Sequence, residues 1–283
     1  MKYIITLLFL FSISLNAQSV LNFDKRNVQC EDKWITYQMD KDSTYTFGFI
    51  YVDSQAGLTL NYEGKFKIDN DGNFIRLEST TDNEIGFMKV RLQPNRTAIA
   101  EIPDSKFNEL KIEKTPDWLA SYKTDENSVE RLYRWGYLYN GWSECEKALT
   151  FLEKADIIDS NFKGLQTELA FSYNALGKYN KAEASLKKAI KNDPSDCYTL
   201  KELAYTYTKL LNLEKVSETY KLLKEICKTN EFIQETAYNL AYEYFKIKDK
   251  AKFKDWKTEA EKWSTSENQY TKNLNAMETE LNK

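Results

Sequence analysis

The sequence predicts an α+β protein, in which a small antiparallel β domain precedes an all-α solenoid of about four helical hairpins and a capping helix. Two patterns predict this fold class. Side chains alternate with a period of two before residue ~120, and the sequence after it repeats with a period of 34 residues. The predicted segments are a signal peptide at 1–17, a β-rich domain at 18–118, a linker at 119–128, repeats at 129–267 and a capping helix at 268–283.

The first seventeen residues have the pattern of a secretory signal peptide. Lys2 precedes an apolar run from Ile4 to Leu15, and Ala17 follows as a small residue at a cleavage site. The run is shorter than the ~20 apolar residues that a membrane-spanning helix needs. We therefore expect cleavage after Ala17, a periplasmic or secreted protein, and no transmembrane segment after cleavage.

The β-rich domain is predicted from alternation and turns. Tyr45, Phe47, Phe49 and Tyr51 recur at every second position, as in a half-buried strand. The run Asp69-Asn70-Asp71-Gly72 is a strong turn signal between two strand-like segments, 58–68 and 73–77, and predicts a hairpin.

A second hairpin is predicted around Pro94-Asn95, between segments 87–92 and 97–102. The resulting sheet of roughly five strands has no helix of its own, so we expect the helical part to cover one of its faces. Trp118 and Leu119, near the end of this region, are expected to anchor the connecting segment on one of the two domains.

The repeats align without gaps in three segments, 129–162, 163–196 and 197–230, and a divergent fourth copy spans 234–267 after a short insertion. Large residues recur at the seventh and eleventh places and small residues at the eighth and twentieth. The second repeat shows the pattern most fully, with Leu169-Ala170, Tyr173, Leu176-Gly177, Tyr179, Ala182, Leu186, Ala189 and Pro194. This pattern resembles the tetratricopeptide repeat (TPR) family over about half of the chain.

The resemblance implies pairs of antiparallel helices that stack on their neighbours, because one pair cannot bury its apolar face alone. A stack of this kind needs a polar cover at its open end. Ser264 and Glu267 form a capping-box pattern before an amphipathic segment. That segment carries Tyr270, Leu274, Met277 and Leu281 on one face, which predicts a C-terminal capping helix.

In TPR proteins the first helix of each pair lines a groove that holds partners. Carried over place by place, the fifth, ninth and twelfth positions of the first three repeats predict a partner-binding groove. Its residues are Tyr133, Tyr137, Asn140, Thr167, Phe171, Asn174, Lys201, Tyr205 and Thr208. The ninth-place rings suit a peptide; equally, they suit packing against another segment of this chain. Tyr137 stands where the carboxylate-gripping TPR groove has asparagine, so that subtype is not expected.

Four cysteines are present, and two of them occupy a suggestive position in the third repeat. Cys197 opens the first helix and Cys227 closes the second, so the two ends lie side by side in an antiparallel pair. We favour a disulfide over two buried thiols, because export exposes the chain to an oxidising compartment. For Cys30 and Cys145 the sequence favours no pairing.

Composition excludes several function classes. The 40 basic and 43 acidic residues are well mixed and give a formal net charge of −3, which leaves no basic surface typical of a nucleic-acid binder. The chain has no histidine, so His-dependent catalysis and nearly every common zinc or iron site are excluded. No phosphate-binding loop or nucleophile motif occurs. We therefore predict no catalytic residues, no metal and no cofactor.

The resemblance implies a non-catalytic scaffold of the cell envelope that binds a protein or peptide through the repeat groove. Two alternatives stay open. The protein is a structural component of an envelope complex, with the groove filled by its own β domain, or it is an enzyme with an unrecognised site in the β domain. The lysine-, asparagine- and isoleucine-rich composition, with a signal ending in Asn16-Ala17-Gln18, resembles exported Bacteroidetes proteins.

Overall fold

The computed structural model describes residues 21–78, 88–228 and 230–283. The predicted signal peptide, residues 1–17, lies outside the described residues. The chain divides into two compact units, the first ending at Tyr122 and the second beginning at Lys123. This division falls inside the segment 119–128, which the sequence assigns to a linker.

The described part of the first unit is built around an antiparallel sheet. Its strands are β1 (Lys33–Thr36), β2 (Tyr45–Asp53), β3 (Gly57–Ile68), β4 (Phe74–Arg76), β5 (Lys89–Arg91) and β6 (Ala100–Glu101). Their order is β4-β3-β2-β1-β6, and β5 pairs with the other end of β3. The long β3 strand therefore carries β4 and β5 one after the other along a single edge.

The hairpin predicted at residues 69–72 is confirmed. Strands β3 and β4 pair directly, with Phe66 opposite Arg76. The Asp69 carboxylate accepts hydrogen bonds from the backbone N–H groups of Asp71 and Asn73, each at 2.9 Å. An aspartate at the start of the turn thus supplies the local acceptor that the turn needs.

The hairpin predicted around Pro94-Asn95 is wrong. Strand β5 pairs with β3, where Leu60 faces Val90, whereas β6 pairs with β1, where Ile35 faces Glu101. The turn therefore joins strands on opposite sides of β2. A turn signal identifies a break in the chain, but the partner of each strand depends on burial against residues distant in sequence.

One face of this sheet carries an aromatic core. It contains Trp34, Phe47, Phe49, Tyr51, Phe66 and Phe74, all almost fully buried. Residues 104–122 of the same unit cover this face. The Trp118 and Tyr122 rings lie 5.0 and 4.6 Å from the Tyr51 ring, between centroids, and Leu119 is buried in the same cluster. The anchors in the connecting segment therefore belong to the β unit.

Within this cover, residues Phe107–Leu110 form a one-turn helix, α1.

The regular secondary structure described in the second unit consists of α-helices. Its helices are α2 (Val129–Gly141), α3 (Cys145–Ile158), α4 (Leu165–Ala175), α5 (Tyr179–Asn192), α6 (Cys197–Lys209), α7 (Leu213–Ile226), α8 (Asn230–Lys246), α9 (Lys250–Lys262) and α10 (Gln269–Leu281). Consecutive helices pair as four hairpins, from α2–α3 to α8–α9, and α10 packs on the last one. The predicted fold class, a β domain followed by a TPR-like solenoid with a capping helix, is confirmed.

Small residues let the helices of each pair approach closely. The eighth places, Gly136, Ala170, Ala204 and Ala241, are buried on the first helices. A Cβ on Gly136 would overlap the side chain of Leu152 on α3, so the first hairpin has no room even for alanine. Larger residues at the eighth place would force the two helices apart.

A second contact recurs in every hairpin. The tyrosine at the eleventh place lies under a lysine from the nineteenth place, with the Lys Nζ 4.2–5.3 Å from the ring centroid. The pairs are Tyr139–Lys147, Tyr173–Lys181, Tyr207–Lys215 and Tyr244–Lys252. These cation–π contacts join the two helices of each pair at the edge of the core.

The turn inside each hairpin has one residue with positive φ at the fifteenth place. These residues are Ser143, Gly177, Leu211 and Lys248, with φ between 57° and 69°. Glycine adopts this conformation freely, whereas a side-chain-bearing residue pays ~1–2 kcal/mol for it. The third hairpin therefore carries backbone strain at Leu211, whose side chain is 68% exposed and loses little by removal.

Leu211→Gly is expected to raise the free energy of unfolding by ~0.5–1 kcal/mol, because it removes this strain. The matched reverse change, Gly177→Leu, should lower it by ~1 kcal/mol, since a Cβ there meets no other atom within 4 Å and only the backbone term applies. Urea unfolding followed by helical circular dichroism measures both. A shift of both variants in the same direction would contradict the strain argument.

The third hairpin is closed by a disulfide. Cys197 at the start of α6 and Cys227 just after α7 are bonded, with their Cα atoms 5.7 Å apart and a separation of 30 positions in the sequence. Cys30 and Cys145 are buried free thiols, one in each unit. The bond ties the two ends of the hairpin that face away from its turn.

Reduction of this disulfide should destabilise the helical unit by ~3–4 kcal/mol, the loop-closure value for a loop of about 30 residues. Urea unfolding with and without dithiothreitol tests this. The Cys197→Ala/Cys227→Ala variant serves as control and should not respond to the reductant. An equal response of this variant would show that the effect of the reductant does not come from this disulfide.

The capping helix begins one turn later than its sequence signal suggests. Asn268, and not Ser264, caps α10: its side chain accepts from the Thr271 N–H, and the Thr271 hydroxyl accepts from the Asn268 N–H. Leu274 is fully buried on the apolar face. The Ser264–Glu267 capping box is therefore wrong, because α10 begins only at Gln269, after the Asn268 cap. The Ser264 hydroxyl instead donates to the backbone oxygen of Ser266.

In the described residues, no helix has both the length and the apolar character to cross a membrane.

Candidate partner-binding face

The first helices of the four hairpins, α2, α4, α6 and α8, lie against one another in sequence order. Each second helix packs against the first helix of the next hairpin. Because neighbouring first helices approach more closely than neighbouring second helices, the first helices line the inner side of the stack. We call their solvent-exposed side the inner face.

The nine predicted groove residues fall into two groups. Tyr137 is 59% exposed on the inner face, and Tyr133, Phe171, Lys201 and Tyr205 are half-buried there. The other four, Asn140, Thr167, Asn174 and Thr208, are buried between helices. The structure therefore gathers the first group on one surface and places the second group beneath it, out of reach of a partner.

The buried asparagines form a repeated hydrogen-bond network between first helices. Asn140 Nδ2 donates to the Glu168 carboxylate at 2.9 Å, and the Ser172 hydroxyl donates to Asn140 Oδ1 at 2.6 Å. One repeat later, Asn174 Nδ2 donates to Glu202 at 3.2 Å, and Thr206 donates to Asn174 Oδ1 at 3.0 Å. Each asparagine amide therefore has both its donor and its acceptor used by the following hairpin.

The network does not extend to the fourth hairpin. Thr208 occupies the asparagine place of the third hairpin, and its hydroxyl donates to the Ala204 carbonyl within its own helix. Thr167 makes a separate contact to the next hairpin, where its hydroxyl lies 2.8 Å from that of Thr199. Asn140, Asn174 and Thr167 thus join neighbouring hairpins. All four of these residues are buried and are not part of the surface.

The inner face presents a row of rings at the ninth place. Tyr137, Phe171 and Tyr205 come from the first three hairpins, and the fourth hairpin adds Tyr242, which is 40% exposed. Lys209 and Lys246 lie over the Tyr205 and Tyr242 rings at 5.1 and 5.3 Å from their centroids.

Carboxylates lie near two other tyrosines of the first helices, Tyr133 and Tyr198. Burial raises the pKa of Glu168, against a smaller opposing effect of the Asn140 hydrogen bond. Burial also raises the pKa of Glu235 on α8, although Lys201 opposes it. The pKa of Tyr133 rises to about 12 because the hydroxyl is buried and lies near Glu168 and Tyr137.

Tyr198 lies at the centre of this charge pattern. Burial raises the pKa of its hydroxyl, and Glu202, Glu168 and Glu235 add to the shift in that order. These carboxylates therefore converge on one region of the inner face. Because this region is partly shielded from water, the carboxylates there stabilise a nearby positively charged group.

Sequence reasoning missed several of these residues. Glu168 and Glu202 stand 34 positions apart at the sixth place, and Ser172 and Thr206 at the tenth. The recurrence of these polar residues in the repeat register is a sequence pattern that indicates a shared role. Tyr242 occupies the ninth place of the fourth repeat, whose divergent sequence gives a weaker signal. Among the described residues, no group of three or more Cys, Asp or Glu side chains is placed to hold a metal ion.

Comparisons with known proteins give a likeness in fold over part of the chain. No protein-family model matches this chain, and neither does any curated protein. One similar solved structure is TTC0263, a thermophilic TPR protein in Thermus thermophilus, at 16% identity and a TM-score of 0.44, covering 56% of this chain and 86% of its own. Another is MamA MSR-1 C2, at 16% identity and a TM-score of 0.42, covering 62% of this chain and 89% of its own.

Glu168→Gln should make the protein more stable at pH 7, because it removes a partly buried charge and keeps an acceptor for Asn140. The folded-state pKa of Glu168 lies above its unfolded value. The cost of the charge is therefore absent below the unfolded pKa and complete above the folded one. The advantage of the variant should vanish below about pH 4.

Urea unfolding at both pH values provides the measurement. Glu225→Gln, which removes an exposed charge on α7, is the matched control and should change stability little. A Glu168→Gln variant less stable than the wild type at pH 7 would show that the carboxylate is worth more to the Asn140 network than its burial costs.

Proposed function

We propose that the helical unit is a protein-interaction scaffold whose inner face binds an extended segment of a partner protein, without catalysis. The observation that carries this proposal is the aromatic row at the ninth place. Tyr137 is 59% and Tyr242 40% exposed, although the chain otherwise buries its tyrosines at the eleventh place almost completely. Exposed, rigid rings with a polar tip are typical of partner-binding surfaces.

The dimensions of the row suit a short peptide. Neighbouring helices pack ~8–10 Å apart, so four rings span roughly 25–30 Å. An extended chain advances ~3.3 Å per residue, which corresponds to a segment of about eight or nine residues. Rings spaced by one helix would then contact every third residue of the partner.

Export to the periplasm or the exterior is part of the proposal. It is supported by the signal-peptide pattern at residues 1–17 and by the Cys197–Cys227 disulfide, since disulfides persist in oxidising compartments. The protein would then act in the cell envelope, as an exported scaffold whose composition resembles that of exported Bacteroidetes proteins. The absence of histidine from the sequence and the mixed surface charge support a protein partner over a nucleic acid or a cofactor.

The triple variant Tyr137→Ala/Phe171→Ala/Tyr205→Ala should lose partner binding by at least about a hundredfold, since each truncated anchor ring costs ~1 kcal/mol or more. Crosslinking capture from envelope fractions with purified wild-type and variant protein, quantified by mass spectrometry, measures this. Partners that depend on the inner face should disappear from the variant sample.

The control variant is Ile157→Ala/Leu211→Ala/Ile247→Ala, which removes apolar side chains that are 64–86% exposed and lie outside the ring row. It should capture the same partners as the wild type. Equal capture by all three proteins would reject the aromatic row as the binding surface. Loss from both variants would reject it equally, because binding would then follow exposed apolar area in general.

A further inference from the structure

One lysine of the third hairpin occupies a site made of a carboxylate and two rings. Lys201 Nζ lies 2.7 Å from Glu202 Oε1 and 4.8 and 5.7 Å from the ring centroids of Tyr198 and Phe232. The Lys201 and Glu202 side chains are only 16% and 8% exposed. This combination, which we call the Lys201 site, holds an ammonium group by an ion pair and by cation–π attraction.

The second hairpin repeats this site without the lysine and without one of its two rings, because Gly164 stands in the place of Tyr198. Thirty-four residues earlier, Glu168 corresponds to Glu202, Tyr198 corresponds to Phe232, and Thr167 stands in the place of Lys201. The Thr167 hydroxyl is engaged with Thr199 at 2.8 Å. The carboxylate and the ring are therefore kept, while the chain's own ammonium group is replaced by a short neutral side chain.

The two carboxylates are held in the same way. Oε2 of Glu202 accepts from Asn174, and Oε2 of Glu168 accepts from Asn140. Oε1 of Glu202 accepts Lys201. In the described part of the chain, Oε1 of Glu168 has no hydrogen-bond or ion-pair partner, and the neighbouring charge that acts on it is the repulsive Glu202.

The first hairpin supplies further rings around Glu168. Tyr133 and Tyr137 lie 6.3 Å apart between ring centroids. The Tyr133 hydroxyl rests against Gly164 at the start of α4, at 2.7 Å from the position of a Cβ there. Glycine at this place therefore lets the ring lie over the beginning of α4, close to Glu168.

We propose that Glu168, with Tyr133, Tyr137 and Tyr198, binds a lysine side chain of the partner, in the position that Lys201 takes one repeat later. This inference rests on the proposed function and names the chemistry of the partner. An ammonium suits the site better than a guanidinium, because a single carboxylate oxygen is available and a bidentate fork has no second acceptor. Tyr137 belongs to both this site and the aromatic row, so one extended segment reaches both.

The test begins with a selection of random ten-residue peptides displayed on phage against the full-length protein. Binders should be enriched in lysine. The tightest one, labelled with fluorescein, should lose at least tenfold in affinity when one particular lysine is changed to glutamine. Changing the same lysine to arginine should cause more than half of that loss. Its affinity should fall with increasing salt.

The decisive variant is Glu168→Gln, with Glu225→Gln as the control of equal net charge. Glu168→Gln should weaken the lysine peptide at least tenfold and leave its glutamine analogue unchanged, while Glu225→Gln affects neither. Thr167→Lys provides a second variant: it installs the chain's own ammonium at the site, and should weaken the same peptide without removing Glu168. Circular dichroism confirms that each variant is folded.

The outcomes separate the two proposals. If peptides bind through the aromatic row but Glu168→Gln and Glu225→Gln behave alike, the lysine site is overturned and the scaffold function stands. If no peptide binds the wild type better than the Tyr137→Ala/Phe171→Ala/Tyr205→Ala variant, the scaffold function itself fails, and the lysine site fails with it.

Discussion

The close approach of the two helices in each hairpin is the constraint on which the helical unit depends. At the eighth place the first helix carries glycine or alanine, and in the first hairpin Leu152 fills the space where a methyl group on Gly136 would be. The helices therefore meet backbone against side chain. Stacking follows, because one hairpin cannot bury its apolar face alone.

Buried polar groups determine the register in which neighbouring hairpins stack. Asn140 and Asn174 are buried between first helices, where an amide without partners would cost ~1–3 kcal/mol. Each is satisfied only if the following hairpin places its glutamate and its hydroxyl at the right height. A slip by one helical turn would leave the amide, the carboxylate and the hydroxyl unpaired together. The apolar core thus favours stacking in general, while this network favours one arrangement of it.

The same architecture explains why charge is distributed unevenly. The nineteenth-place lysines belong to the second helices. Each lies over the eleventh-place tyrosine of the first helix in its own hairpin. The inner face keeps Glu168, Glu202 and Glu235 close to Tyr198, and Lys201 neutralises only part of their charge. A chain whose total charge is nearly balanced, at −3, therefore gathers three carboxylates around one tyrosine of the inner face.

The sequence by itself determined the features that depend on neighbours along the chain. The repeat register follows from side-chain size at fixed spacing, and the β3–β4 hairpin follows from the turn at residues 69–72. Whether Asn140 lies in the groove or beneath it depends on how near α4 comes to α2, a distance that no local pattern contains. The opposite partners of β5 and β6, the capping of α10 by Asn268 and the pairing of Glu202 with Lys201 also came only from the tertiary structure. Local sequence restricts backbone conformation and the side-chain face, whereas burial and long-range pairing are decided by which surfaces meet when the whole unit packs.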